Sequence, residues 1–413
     1  MEKWDIIVVG AGAAGLLAAG SAAKAGAKVL LLEKMQSEGR KLLITGKGRC
    51  NITNKDALKD FIKHIHPDGR FLWNAFSAFF AEEILDLLQK NGLETKLERG
   101  GRYFPASDRS GDVLQALLKW IHDLGVEVAC RQKVEKIFIK DGKINGLQAN
   151  GKDLHTTRII LATGGRSYPA TGSNGEGLKL AQTLGHKVVK TRPALVPLEA
   201  NSNLPARMEG LLLKNVKAVL WIDGKKAAEE FGEMVFTDYG LSGPIILSLS
   251  RKAVDALQEK KKTEIIIDLK PALDDKKLDR RLLRDLDENG KKKIANVFPK
   301  WLPSAMVKPM MDYLRIDPDK ECHQITSEER KKIRYHFKNL GFTISGNRPF
   351  KEAIITAGGI HTKEISPKTM ESKIIRGLYL AGEILDVDAD TGGYNLQIAF
   401  STGWLAGKSA AVS

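Results

Sequence analysis

The apolar positions of this chain fall into two textures. From Asp5 a continuous apolar run to Val9 meets Gly10-x-Gly12-x-x-Gly15. A stretch of small residues follows, then a second apolar run, Val29 to Leu32, that ends on Glu33. Short unbroken apolar runs bounded by glycine predict strands buried on both faces, and the small-residue stretch predicts a closely packed helix. Apolar residues at helical spacing predict helices over 81–90 and 113–120, while Val126 to Phe138 alternates and predicts one strand crossing back. A further apolar strand leads from Arg158 into Ala162-Thr163-Gly164-Gly165.

After Pro193 the texture changes. Val216 to Ile222, Met234 to Phe236 and Glu264 to Leu269 read as short strands between Asp-Gly and Lys-rich turns, predicting a small antiparallel barrel or sandwich. Charged helical patterns follow at 276–286, 291–297, 304–314 and 327–340. Near the end, Gly377 to Glu383 reads as a strand finishing on an acid. Thr391-Gly392-Gly393-Tyr394-Asn395 then opens a final helix, roughly Asn395 to Gly407. The pattern predicts an α/β fold: a two-dinucleotide-binding, Rossmann-like domain in two parts, 1–191 and 350–413. The inserted substrate domain spans 192–349, with a β-barrel at about 192–272 and helices at about 273–349.

The first segment carries the clearest chemistry. In a strand–turn–helix of this kind Gly10 makes the tight turn, Gly12 admits a pyrophosphate and Gly15 lets helix and strand pack closely. Ala13 and Ala14 begin the helix, whose free N–H groups and positive dipole end suit phosphates. Glu33 stands where a carboxylate accepts ribose hydroxyls, with Lys34 beside it. Ala162, Thr163, Gly164 and Gly165 are small enough for the backbone to abut a cofactor. Gly382 and Glu383 end a returning strand whose acid can bond a ribityl chain. Gly392, Gly393, Tyr394 and Asn395 start a helix able to present N–H groups to a flavin pyrimidine edge.

A simple NAD-dependent dehydrogenase needs no returning C-terminal strand, so the three segments together predict FAD. No second Gly-x-Gly-x-x-Gly opens a separate unit, and NAD(P)H is expected as a transient co-substrate docking over the flavin. Between Gly39 and Asn54, Gly46 and Gly48 allow close backbone approach, and Arg40, Lys41 and Arg49 bring positive charge. The stretch, Asn51 included, is expected to wrap the pyrophosphate and run toward the flavin. Cys50 is the candidate catalytic residue there, as proton donor or reactive thiol, against the plainer reading of a small packing residue. Val134 is expected to touch adenine through its main chain.

Composition narrows the setting. At 413 residues and 43% hydrophobic, the chain has room for two or three domains. No run reaches the roughly 18 apolar residues of a membrane span, and the glycine-broken N-terminal run does not read as a signal peptide. Three scattered cysteines imply neither a disulfide framework nor a metal cluster, so no metal and a cytoplasmic location are expected. His64 and His66 stand just before a Pro-Asp-Gly turn, which favours an exposed loop over a metal site; His361 reads as structural. The net charge of +15 raises the prior for an anionic partner, although basic residues are not concentrated in the insert. Oligomeric state is not legible.

Thr45-Gly-Lys-Gly-Arg-Cys-Asn-Ile-Thr-Asn54, Gly232-Glu-Met-Val-Phe-Thr-Asp-Tyr-Gly-Leu-Ser-Gly-Pro244, Ile355-Thr-Ala-Gly-Gly359 and Thr391-Gly-Gly-Tyr-Asn-Leu-Gln397 occur in that order. With these strings the whole chain resembles the BaiN/RdsA-like FAD-binding flavoproteins, also labelled aminoacetone oxidase-type FAD-binding enzymes. The resemblance implies a bipartite FAD domain with an inserted barrel-plus-helical domain. It also implies one of three activities: C=C reduction in oxo-steroids or bile-acid-like enones, reduction of uridine to dihydrouridine in large-subunit rRNA, or oxidation of small amines. Two departures show: Asp238 stands where many members have His, and Ser173-Asn-Gly-Glu-Gly177 replaces a commoner Ser-Thr-Gly-Asp-Gly. The expectation is an NAD(P)H-driven reductase of an electron-poor C=C bond, with rRNA uridine favoured over a small enone by the charge.

Overall fold

The computed structural model describes residues 4–413. The chain divides into two compact units. One runs up to Arg192 and resumes at Ile354–Ser413; the other is Pro193–Ala353.

The first unit is built on a five-stranded parallel sheet in the order Leu378–Leu380, Ile159–Leu161, Ile6–Val9, Val29–Leu32, Glu127–Ala129. Its central strands are apolar at every position and buried at every position, as a sheet covered on both faces requires. The helix Ala13–Lys24 follows the first strand, with Ala14 through Ala22 buried. Its alanines and glycines admit a close neighbour, the final helix Tyr394–Val412. A methyl group on Gly403 would sit 2.2 Å from the Ala14 carbonyl oxygen, so only glycine permits this approach.

Two expectations are corrected here. Val126 to Phe138 is not one strand. Glu127–Ala129 joins the parallel sheet, Arg131 turns through φ 58°, and Val134–Lys140 starts an antiparallel sheet with Lys143–Ala149. Alternation persists across such a turn, so the pattern alone does not reveal the break. The final helix also starts one residue earlier than expected and continues to Val412.

In the second unit six antiparallel strands close a barrel: Leu198–Ala200, Gly240–Ser242, Lys225–Thr237, Leu212–Ile222, Thr263–Asp268 and Leu340–Asn347, which pairs back to the first. The long hairpin turns through Asp223 and Gly224, both at positive φ, a turn that suits Asp-Gly. The closing strand Leu340–Asn347 lies in the stretch expected to be helical, so the barrel is not confined to 192–272. A helix, Pro244–Gln258, lies within the stretch expected to be barrel alone. The helices Asp275–Asp287, Ser304–Leu314 and Ser327–Lys338 form as their apolar spacing predicts, whereas 291–297 holds only a short turn at Ile294–Asn296.

Candidate functional site

The strand Ile6–Val9 ends at Gly10, whose φ of 102° and hydrogen bond to the Leu32 carbonyl at 2.7 Å make the tight turn into the first helix. A methyl group on Gly15 would lie 1.7 Å from the Gly10 carbonyl oxygen, so turn and helix are in contact. Gly12 caps the helix without any side chain, and the first turn carries no acid. Around the place where a Cβ of Gly12 would stand, nothing lies within 4 Å. The free N–H groups of a helix start therefore face open space at its positive dipole end.

Glu33 organises this loop. Its carboxylate accepts the Ala11 N–H at 2.9 Å and the Met35 N–H at 2.8 Å. The acid at the tip of the second strand thus holds both the glycine loop and its own turn.

The open space is a cavity of about 1410 Å³, its mouth included. Gly10, Gly12, Ala13 and Ala14 line it, as do Glu33, Lys34 and Val134. Arg40, Lys41, Ala162, Thr163 and Gly164 add to the wall, with Glu383 and Asn395 from the C-terminal segment. Residues from both ends of the chain therefore meet at one cavity. The final helix opens on it too: Gly393 caps that helix at φ 101° without a side-chain bond, no acid sits in its first turn, and Asn395 and Leu396 reach the wall. Two helix N-termini without side-chain caps face one cavity.

Several of its charges are paired. Lys41 Nζ donates to Glu383 Oε2 at 2.6 Å and to Ser167 Oγ at 2.5 Å. Glu383 Oε1 accepts the Thr356 N–H and the Ser167 hydroxyl. Glu176 accepts Lys34 at 2.6 Å and Lys133 at 2.8 Å. Burial pushes the Glu176 carboxyl up, but the hydrogen bonds from Lys133 and Lys34 outweigh it and hold the group at about 2. One buried polar atom of a wall residue, Thr163 Oγ1, has no protein partner and packs against Gly177.

Other expected residues are placed elsewhere. Gly46, Gly48, Arg49, Cys50 and Asn51 do not line the cavity. Arg49 is drawn to Glu98 and Asp108 and lies over the Phe104 ring. Ile52 donates to the Tyr103 carbonyl, and Thr53 pairs with Tyr103, which pins the stretch to a neighbouring strand. Cys50 is fully buried. Burial pushes its thiol up to about 12, with the Thr45 contact lowering it only in part, which favours the thiol over the thiolate. Gly15, Gly165, Gly382, Gly392, Gly393 and Tyr394 also stay out of the wall; Gly165 backs onto Thr356 and Gly382 onto Ala14.

Several lining residues were missed by sequence reasoning. Thr171, Gly172, Ser173 and Asn174 come from the loop after the Ile159–Leu161 strand, and Ile354 and Ile355 from the returning segment. The only signal was the glycine spacing at Gly172 and Gly175, both at positive φ. His186 is buried between Glu364, 3.0 Å from Nδ1, and Ser372 Oγ, 2.9 Å from Nε2. This Ser-His-Glu array resembles a hydrolytic triad, but Ser372 Oγ also accepts the N–H groups of Ile374 and Ile375, and none of the three side chains lines the cavity. His64 and His66 share Asp390 rather than standing in a free loop. Among the described residues no His/Cys/Asp/Glu group could hold a metal ion, and no helix is long and apolar enough to cross a membrane.

Residues 4–409 match the family described as HI0933-like protein Rossmann domain. The chain belongs to this family. As an HI0933-like protein it is 32% identical over 406 residues to the 3-dehydro-bile acid delta(4,6)-reductase of Clostridium scindens, covering 98% of each chain. It is 29% identical over 404 residues to the ribosomal RNA dihydrouridine synthase of Escherichia coli, covering 98% of this chain and 97% of that one. The HI0933-like fold is also similar to the Mycobacterium smegmatis Sdh1 complex in the apo form, with TM-score 0.52 at 18% identity over 100% of this chain and 68% of the other. The 3-ketosteroid delta1-dehydrogenase of Sterolibacterium denitrificans gives TM-score 0.50 at 13% identity over 100% of both chains. These two structures bear on the fold alone.

Proposed function

We propose that the cavity holds FAD and that the protein uses it to saturate a carbon–carbon double bond conjugated to a carbonyl. The observation that carries this reading is the pair of helix N-termini, without side-chain caps, on one cavity built from both ends of the chain. The chain is an FAD-dependent oxidoreductase of the HI0933-like family. When bound and reduced, FAD supplies a hydride.

The chain's own residues supply the rest. Gly12, with the N–H groups at Ala13 and Ala14, admits and neutralises a pyrophosphate, aided by the positive charge of Arg40 and Lys41. Glu33 keeps lone pairs free for ribose hydroxyls beyond the two backbone N–H groups it accepts. Val134, in the wall, would meet adenine through its main chain, and the final helix, which opens on the same cavity, would offer its N–H groups to the edge of the flavin where negative charge develops.

Uridine in rRNA is the substrate we favour. The relative of that activity is matched along nearly its whole length, and the net charge of +15 suits a polyanion held mainly by phosphate contacts. The test is deletion of the gene followed by mass spectrometry of rRNA nucleosides. Loss of one dihydrouridine from the large subunit supports uridine; an unchanged set overturns it. A second reading, a small enone of bile-acid type, is favoured by the 32% identity to the bile acid reductase. Turnover of such an enone, insensitive to salt, would establish it. We further propose NAD(P)H as the reductant, docking over the flavin without a domain of its own. Bleaching of the flavin band by either nicotinamide in stopped flow checks this, and inertness to both alongside rapid reduction by an amine would make the enzyme an oxidase.

A further inference from the structure

Two tyrosines of the second unit stand in water on either side of one histidine. Tyr313 lies near the end of the helix Ser304–Leu314 and Tyr335 on the helix Ser327–Lys338; they are 41% and 59% exposed. The His336 ring meets each of them nearly perpendicularly, with ring centres 5.2 Å apart in both contacts. Burial, then Lys332, pushes the His336 imidazole down, which favours its neutral form. The histidine thus braces two aromatic rings as a third ring would, while much of each phenol stays in water.

The surroundings are basic. Lys331 and Lys332 lie one helical turn before Tyr335, on its face of the helix, and both are exposed. Lys332 Nζ donates to the Leu314 carbonyl at 2.6 Å, which ties the two helices together and leaves two of its N–H groups for other partners. Arg315 follows the first helix at φ 52° and is exposed. Among the described residues, Lys331 and Arg315 make no ion pair. Of the nearby acids, Asp312 is taken by Arg207, and Glu328 sits in the first turn of its helix, where the positive dipole end offsets it. At the other end of that helix Lys338 donates its amine to Asp268 and to the carbonyls of Lys270 and Leu273. The amine of Lys270 itself is half-buried, makes no ion pair among the described residues, and is pushed down by burial, then by Arg281. An anion would relieve it.

We propose that this face of the second unit is a docking surface for single-stranded RNA: Tyr313 and Tyr335 stack unpaired bases, and Lys331, Lys332 and Arg315 meet the phosphates. The inference rests on the reading that rRNA uridine is the substrate, and it names the surface that holds that substrate. A uridine stacked inside a helix cannot lay its double bond against a flavin, so the RNA must offer it from an unpaired segment. Neighbouring bases of such a segment lack stacking partners, and an exposed aromatic ring supplies one whatever the base. The phosphates between those bases call for cations that no carboxylate has already claimed.

The test uses the FAD-loaded protein and two readouts. One is binding of a labelled oligouridylate over a range of salt. The other is dihydrouridine formed in large-subunit rRNA from the deletion strain, with the flavin reduced by dithionite. Tyr313→Ala and Tyr335→Ala together should weaken oligouridylate binding roughly tenfold or more and leave its salt slope alone, whereas Tyr313→Phe and Tyr335→Phe together should bind as the wild type does. Lys331→Ala and Lys332→Ala together should lower the slope of log affinity against log salt by about one. Flavin content should be unchanged in each variant. Unchanged affinity in the folded tyrosine-to-alanine variant overturns the surface, and so does an unchanged salt slope in the lysine variant, which decides alone if the other does not fold. Dihydrouridine still formed by the wild type in that event leaves the rRNA reading standing. A wild-type protein that carries FAD yet neither binds the oligouridylate nor forms dihydrouridine overturns the rRNA reading, and the surface with it.

Discussion

Gly15 stands against Gly10 so closely that a methyl group on it would lie 1.7 Å from the Gly10 carbonyl oxygen, while the same methyl on Gly12 would meet nothing within 4 Å. Two glycines of one motif therefore do different work. Gly15→Ala overpacks the contact between turn and helix and should destabilise the fold by about 3 kcal/mol. Gly12→Val sits in extended backbone, at φ −83°, and should leave the melting temperature nearly unchanged while filling the space in front of the helix. Thermal melts and flavin content of the two variants check this. A Gly12→Val protein with full flavin content would remove the pyrophosphate assignment.

Cys50 should be inert. Its thiol is buried and pushed up to about 12, so little thiolate exists even at about pH 8. Alkylation of the native protein followed by peptide mass spectrometry should find Cys50 unmodified, and Cys50→Ala should retain its flavin. Rapid labelling at Cys50 would restore the catalytic thiol expected from the sequence.

Glu176 links acid stability to the cavity wall. Its folded value, about 2, lies below the ordinary carboxylate value of 4.5, so its pairing with Lys34 and Lys133 stabilises the fold above the ordinary value. That contribution fades as pH falls from about 4.5 toward 2. Glu176→Gln should melt earlier than the wild type at neutral pH, with the difference shrinking as the solution is acidified through this window. A constant difference would show that the carboxylate charge is not what matters.

The parts legible in the sequence were those set by local pattern. The strand–glycine–helix–strand unit from Ile6 to Glu33, the small residues of Ala162 to Gly164 and the acid at Glu383 all read directly, because each needs a particular residue at a particular turn. Closure of the barrel did not, because Leu340–Asn347 pairs with Leu198–Ala200 across most of the insert and a strand after a helix carries no local mark of its distant partner. The stretch Gly46–Asn51 looked shaped for a cofactor by its glycines and cations. Its arginine was claimed instead by Glu98 and Asp108, an attraction that depends on folding. The pairing of His64 and His66 with Asp390 escaped for the same reason.

The cofactor itself is the most direct test. Purified protein is denatured, and the released small molecule is weighed by mass spectrometry against its flavin absorbance. The account predicts FAD, released without breaking a covalent bond, at about one per chain. Protein that stays colourless, even after incubation with FAD, would contradict it.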